Sequence, residues 1–143
     1  MGGLQILWID DQDQWTKQYA LALEDEGHSV TRIAHANPAL DVLESGQQFD
    51  VVIIDLWLPA GEGNVERRAI DSASQLEMGL EILRYAESRD LDMPPVIALT
   101  GVYTEEKRDA LLAYTPTVMK KPPDLDDFIK AVENAGNGRS NAT

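Results

Sequence analysis

The sequence predicts an α/β fold, a five-stranded parallel sheet wound on both faces by five helices. Three observations carry this: short apolar runs alternate with helix-length amphipathic segments, the runs rich in Val and Ile have the composition of strands buried on both sides, and no repeat or linker divides the 143 residues. A chain of this size, 43% apolar, buries roughly 70% of its open surface on folding. One domain over residues 1–136 is therefore expected, followed by a flexible Gly-, Asn- and Ser-containing tail over 137–143.

The elements follow in order. Leu4 to Ile9 is the first strand, and Trp15, Tyr19, Ala22 and Leu23 form the stripe of the first helix. Ser29 to Ala34 is the second strand. Asn37-Pro38 has the form of an N-cap and first helical residue for a helix carrying Leu40 and Leu43 and closed by Gly46. Val51 to Ile54 is the third strand and Val96 to Leu99 the fourth. Thr104 with Glu105 and Glu106 starts a further helix, its acids at the positive end of the helix dipole. Thr117 to Met119 is the fifth strand, and Asp124 caps a last helix whose stripe is Leu125, Phe128, Ile129 and Val132. The stretch over 56–75 is far longer than the usual connection of about two to six residues between a strand and a helix. It is expected to be an extended loop with an insertion.

Composition excludes several functions. With no cysteine and two histidines at no metal-binding spacing, disulfides and zinc sites are not expected. A reducing, cytoplasmic setting is the simplest expectation. No run approaches the roughly 18 apolar residues of a membrane span. A net charge of −13 repels phosphate backbones and anionic lipid, so neither nucleic acid nor membrane is an expected partner.

The reactive residues collect at strand ends. The first strand ends in Asp10-Asp11, the third in Asp55, the fourth in Thr100 and the fifth in Lys120-Lys121. In the flavodoxin-like order 2-1-3-4-5, strands one and three meet where the order reverses, which is where such sheets bind ligands. Three carboxylates about 4 Å apart would repel by roughly 4 kcal/mol per pair at an effective dielectric near 20, so the cluster needs a cation or protons. Oxygen-only ligation with room for water and phosphate is the habit of Mg²⁺. A carboxylate beside Mg²⁺, a lysine and a hydroxyl is a workable phosphoryl acceptor. Each piece alone has a bland reading: helix caps for Asp10 and Asp11, a plain strand end for Asp55, ordinary turns for Thr100-Gly101 and Lys-Lys-Pro-Pro. Those readings do not explain why each residue type falls at a strand's carboxyl end.

The set Ile9-Asp10-Asp11, Asp55-Leu-Trp-Leu-Pro59, Ala98-Leu99-Thr100-Gly101 and Lys121-Pro122 resembles, in order and spacing, the response-regulator receiver family. The resemblance spans residues 4–136. It implies that Asp55 is phosphorylated, that Asp10, Asp11, Asp55 and the carbonyl of Trp57 hold Mg²⁺, that Thr100 is the switch hydroxyl, that Lys121 is the phosphate-binding lysine, and that Lys121-Pro122 is a candidate cis peptide. Lys120 is expected to point to the opposite face of its strand. The resemblance further places Trp57 and Val102 beside the path of attacking water. Expected partners are a histidine kinase or histidine phosphotransfer protein and a downstream effector protein, with no enzymatic activity beyond the chain's own phosphorylation and dephosphorylation.

The sequence departs from the family at two places. Val118 occupies the position of the switch aromatic, three residues before the lysine, and Met78-Gly79-Leu80-Glu81 resembles the glycine-bearing entry to the third helix but comes late, after the segment Ala60 to Gln75. These departures motivate the alternative of an atypical receiver that binds partners without phosphate. A haloacid-dehalogenase-like phosphotransferase is a third reading, weakened because its Asp-x-Asp pattern is replaced here by adjacent aspartates.

Overall fold

A computed structural model describes residues 3–56, 78–101 and 104–141. Strand β1 (Gln5–Ile9) leads to α1 (Asp13–Asp25), β2 (Ser29–Ile33) to α2 (Ala36–Glu44), and β3 (Val51–Asp55) precedes α3 (Met78–Ser88). Strand β4 (Val96–Thr100) leads to α4 (Glu105–Leu112), and β5 (Thr117–Lys120) to α5 (Leu125–Asn141). All strands are parallel, in the order β2-β1-β3-β4-β5. This is the expected doubly wound, flavodoxin-like sheet.

Strand alternation divides the core into two layers. Leu7, Ile9, Val52, Ile54 and Ala98 face α2, α3 and α4, where Leu40, Leu80, Leu83 and Leu111 meet them. Ile6, Trp8, Val51, Ile53 and Leu99 face α1 and α5, meeting Ala20, Leu23, Phe128 and Val132. β3 and β4 are buried along their whole length and β1 beyond its first residue, whereas the edge strands β2 and β5 are partly open. Two-sided burial, expected of the runs in general, thus holds for the central strands, because an edge strand has a neighbour on one side alone.

Local start signals divide in the same way. Thr104 caps α4, its side chain accepting from the Lys107 amide at 3.2 Å, and Asp124 accepts from the Asp127 amide at 3.1 Å. Asn37 is not the cap of α2: it is fully buried inside the first turn, and the extended residue before the helix is His35. Pro38 is tolerated there because first-turn amides have no intrahelical partner to lose. Helix α5 continues to Asn141, through part of the segment expected as a flexible tail. Its Ala131 and Ala135 pack on the core, and Gly136 permits close approach: a Cβ there would lie 2.4 Å from Leu4 Cδ1. No helix among the described residues is long and apolar enough to cross a membrane.

Candidate functional site

Parallel register determines what meets at the sheet's carboxyl edge. Ile9 pairs with Ile54 and Asp55 with Leu99, while Thr100 pairs with Lys120. The residues that follow or end these strands therefore converge, and Asp10, Asp11 and Asp55 each offer a carboxylate oxygen within 4.8 Å of the others. Asp10 and Asp55 are buried at 4% and 1% exposure, and Asp11 is open to solvent.

Lys121 closes the cluster. Its Nζ lies 3.0 Å from Asp55 Oδ2 and 3.3 Å from Asp10 Oδ2, and its side chain is 7% exposed. Its amide donates to the Thr100 carbonyl at 2.9 Å, which ties the lysine's backbone to the end of β4. The Lys121-Pro122 peptide is cis, as the resemblance implied. Lys120, by strand alternation, is exposed. Thr100 is fully buried at the end of β4.

The charge balance is unfavourable to the carboxylates alone. Burial pushes the Asp10 carboxyl above its ordinary value, against the opposing pull of the Gln12 amide and Lys121, and the charge of Asp11 pushes it in the same direction as burial. Asp10 Oδ1 accepts from the Gln12 amide at 2.9 Å. Its Oδ2 is buried, and its polar contact is the Lys121 ammonium at 3.3 Å. A buried anionic oxygen in that condition, beside two further carboxylates, suits a hard cation that takes oxygen ligands. The acidic triad can hold a metal ion. Asp10 is thus more than a helix cap: the residue before α1 is Gln12, and its side chain makes no capping bond.

Other site residues emerge from the tertiary structure. Gly79, at the start of α3, sits directly against the end of β3, where a Cβ would fall 2.0 Å from the Asp55 carbonyl oxygen. Its amide donates to the Leu56 carbonyl at 3.0 Å. The sequence marked this glycine by its motif and not by this contact. Trp15, expected as part of a core stripe, lies beneath Lys121 Nζ at 5.3 Å from its ring centroid. The one sequence signal for that placement is its position shortly after Asp10-Asp11. Trp57, Val102 and the segment 60–75 lie outside the described residues. Val118 is half-buried and packs on the α2, α3 and α4 side of the core.

Comparison with known proteins agrees with this geometry. The chain is 33% identical over 63 residues to the transcriptional regulatory protein TcrA of Mycobacterium tuberculosis, covering 44% of this chain and 24% of that protein. It is 28% identical over 130 residues to the aerobic respiration control sensor protein ArcB of Escherichia coli K12, covering 89% of this chain and 15% of that protein. The chain thus spans about a quarter or less of these curated relatives. Among solved structures, a CheY-like receiver domain protein from Methanospirillum hungatei superposes with a TM-score of 0.77 at 22% identity, over 99% of this chain and 100% of that one, a likeness of fold. The family model for the response regulator receiver domain matches residues 6–133, and the chain belongs to that family.

Proposed function

We propose that the chain is the phosphoacceptor of a two-component phosphorelay, taking a phosphoryl group on Asp55 from a histidine kinase or histidine phosphotransfer protein and signalling to a downstream protein. The observation that carries this reading is Lys121 Nζ at 3.0 Å from Asp55 Oδ2 inside an acidic triad at the sheet's switch point. In the transfer, an Asp55 carboxylate oxygen attacks phosphorus and a P–O bond forms as the P–N bond to the donor imidazole breaks. The electron pair returns to the ring nitrogen, which takes up a proton. Lys121 neutralises charge on the phosphoryl oxygens, and Thr100 donates a hydrogen bond to one of them. Mg²⁺ held by Asp10, Asp11, Asp55 and the Trp57 carbonyl would offset the carboxylate repulsion and the charge of the phosphoryl group. By the family resemblance Trp57 and Val102 would flank the approach of water and, lacking a base or amide to orient it, would make the aspartyl phosphate long-lived.

The test is incubation with acetyl phosphate and Mg²⁺ followed by intact mass. The expected result is one acid-labile phosphoryl adduct on the native chain and none on Asp55→Asn, which keeps the shape but not the nucleophile. Undiminished labelling of Asp55→Asn overturns the assignment. Val118 in place of the switch aromatic favours a second reading, a receiver that binds its partner without phosphate, and the absence of any adduct on the native chain would select it.

A further inference from the structure

Beyond the residues that meet the phosphoryl group, the contacts around Lys121 form a closed circuit through α1. Asp10 Oδ1 accepts from the Gln12 amide at 2.9 Å, and Gln12 Oε1 accepts from Trp15 Nε1 at 2.9 Å. The Trp15 ring lies under Lys121 Nζ, and Nζ returns to Asp10 Oδ2 at 3.3 Å. The ring is further fixed by edge-on contacts, with Trp8 at 5.8 Å and Tyr19 at 5.1 Å between centroids. The Tyr19 hydroxyl donates to the Pro123 carbonyl, which anchors the loop carrying Lys121 to the same helix.

A lysine ammonium on a four-carbon stem is mobile unless its surroundings hold it. Asp55 and Asp10 hold it by charge, but the Asp55 partner changes when the carboxylate becomes a phosphate ester. The Trp15 ring face attracts the ammonium in either state, because the indole quadrupole is unchanged by the reaction. We propose that Trp15 is a positioning residue for Lys121: its ring, oriented by Gln12, keeps the ammonium at the acceptor while the group on Asp55 changes. This rests on the reading of Asp55 as phosphoacceptor.

The experiment compares the native chain with Trp15→Leu and Trp15→Phe, using acetyl phosphate with Mg²⁺ and time-resolved intact mass. Trp15→Leu removes the ring and is expected to slow labelling about tenfold, a typical consequence of losing a largely desolvated cation–π contact. Trp15→Phe keeps a ring without the Gln12 bond and is expected to restore most of the rate, with Mg²⁺ affinity by calorimetry unchanged in both. A second readout needs no labelling: the Lys121 ε-methylene protons should be shifted upfield by the ring in native NMR spectra and return to ordinary positions in Trp15→Leu. Labelling of Trp15→Leu at the native rate, or of Trp15→Phe no faster than Trp15→Leu, overturns the proposal. So does an unchanged Lys121 resonance. Failure of the native chain to label, with the ring shift intact, would instead overturn the phosphoacceptor reading and confine Trp15 to holding the lysine.

Discussion

Replacing Gly79 by alanine tests how the strand that carries Asp55 is supported. Without a tertiary obstacle, alanine in a helix is better than glycine by up to about 1 kcal/mol. In this structure the added Cβ would fall 2.0 Å from the Asp55 carbonyl oxygen, 2.8 Å from its carbonyl carbon and 2.8 Å from Leu56 Cα. All three are backbone atoms, so no side chain can swing away. The strand end is held by the Leu56 amide on the Leu99 carbonyl at 3.1 Å and the helix start by the Gly79 amide on the Leu56 carbonyl at 3.0 Å. A gap of about 1 Å must open to reach the 3.0 Å below which Cβ contacts are essentially never seen. Overpacking of rigid surroundings costs about 1–3 kcal/mol, and an all-backbone clash belongs at the upper end. Subtracting the helix gain leaves a loss of about 2 kcal/mol, which for a domain of this size lowers Tm by about 6–8 °C. Because a misplacement of about 1 Å at a reacting group can cost on the order of 100-fold in rate, labelling of Asp55 by acetyl phosphate should fall by one to two orders of magnitude. Thermal unfolding followed by circular dichroism and adduct formation by intact mass check both. A Gly79→Ala protein that melts at or above the native temperature and labels at the native rate would refute the close packing of α3 on Asp55.

Two further outcomes follow from the charge and access of the site. The folded chain holds the Asp10 proton more tightly than the ordinary value of 3.8, chiefly through burial. Stability linked to that proton is complete below the ordinary value and is lost as pH rises through the raised one. Above the raised value the buried carboxylate is thus a cost in the metal-free protein, and there Asp10→Asn should raise Tm in EDTA while diminishing the further rise that Mg²⁺ produces by binding the folded state; a lower Tm in EDTA would count against this account. The phosphorylated native protein should lose its phosphate slowly, and either Trp57→Asn or deletion of Ala60 to Gln75 should speed the decay measured by intact mass; loss within seconds from the native protein, or no acceleration in either variant, would refute the shielding of the site.

Local pattern in the sequence determined the elements, because a buried strand's short continuous apolar run and a helix's 3.6-residue apolar period are properties of neighbouring residues. The Val- and Ile-rich runs identified the strands, and Thr104 and Asp124 identified two helix starts by chemistry acting within one turn. Asn37 shows where such signals mislead: its capping side chain is buried within the turn, an outcome set by packing and not by local preference. The candidate site residues were legible as well, since each ends or follows a strand and the parallel order carries strand ends to one edge of the sheet. What tertiary structure alone decided are contacts between elements distant in sequence. That Lys121 reaches both Asp10 and Asp55, that Asp10 Oδ2 is buried against the ammonium, and that Trp15 lies under it all depend on how α1 and the β5–α5 loop pack on the sheet. The same holds for Gly79, whose need to lack a Cβ comes from the Asp55 backbone across the interface and leaves no periodic trace in the chain.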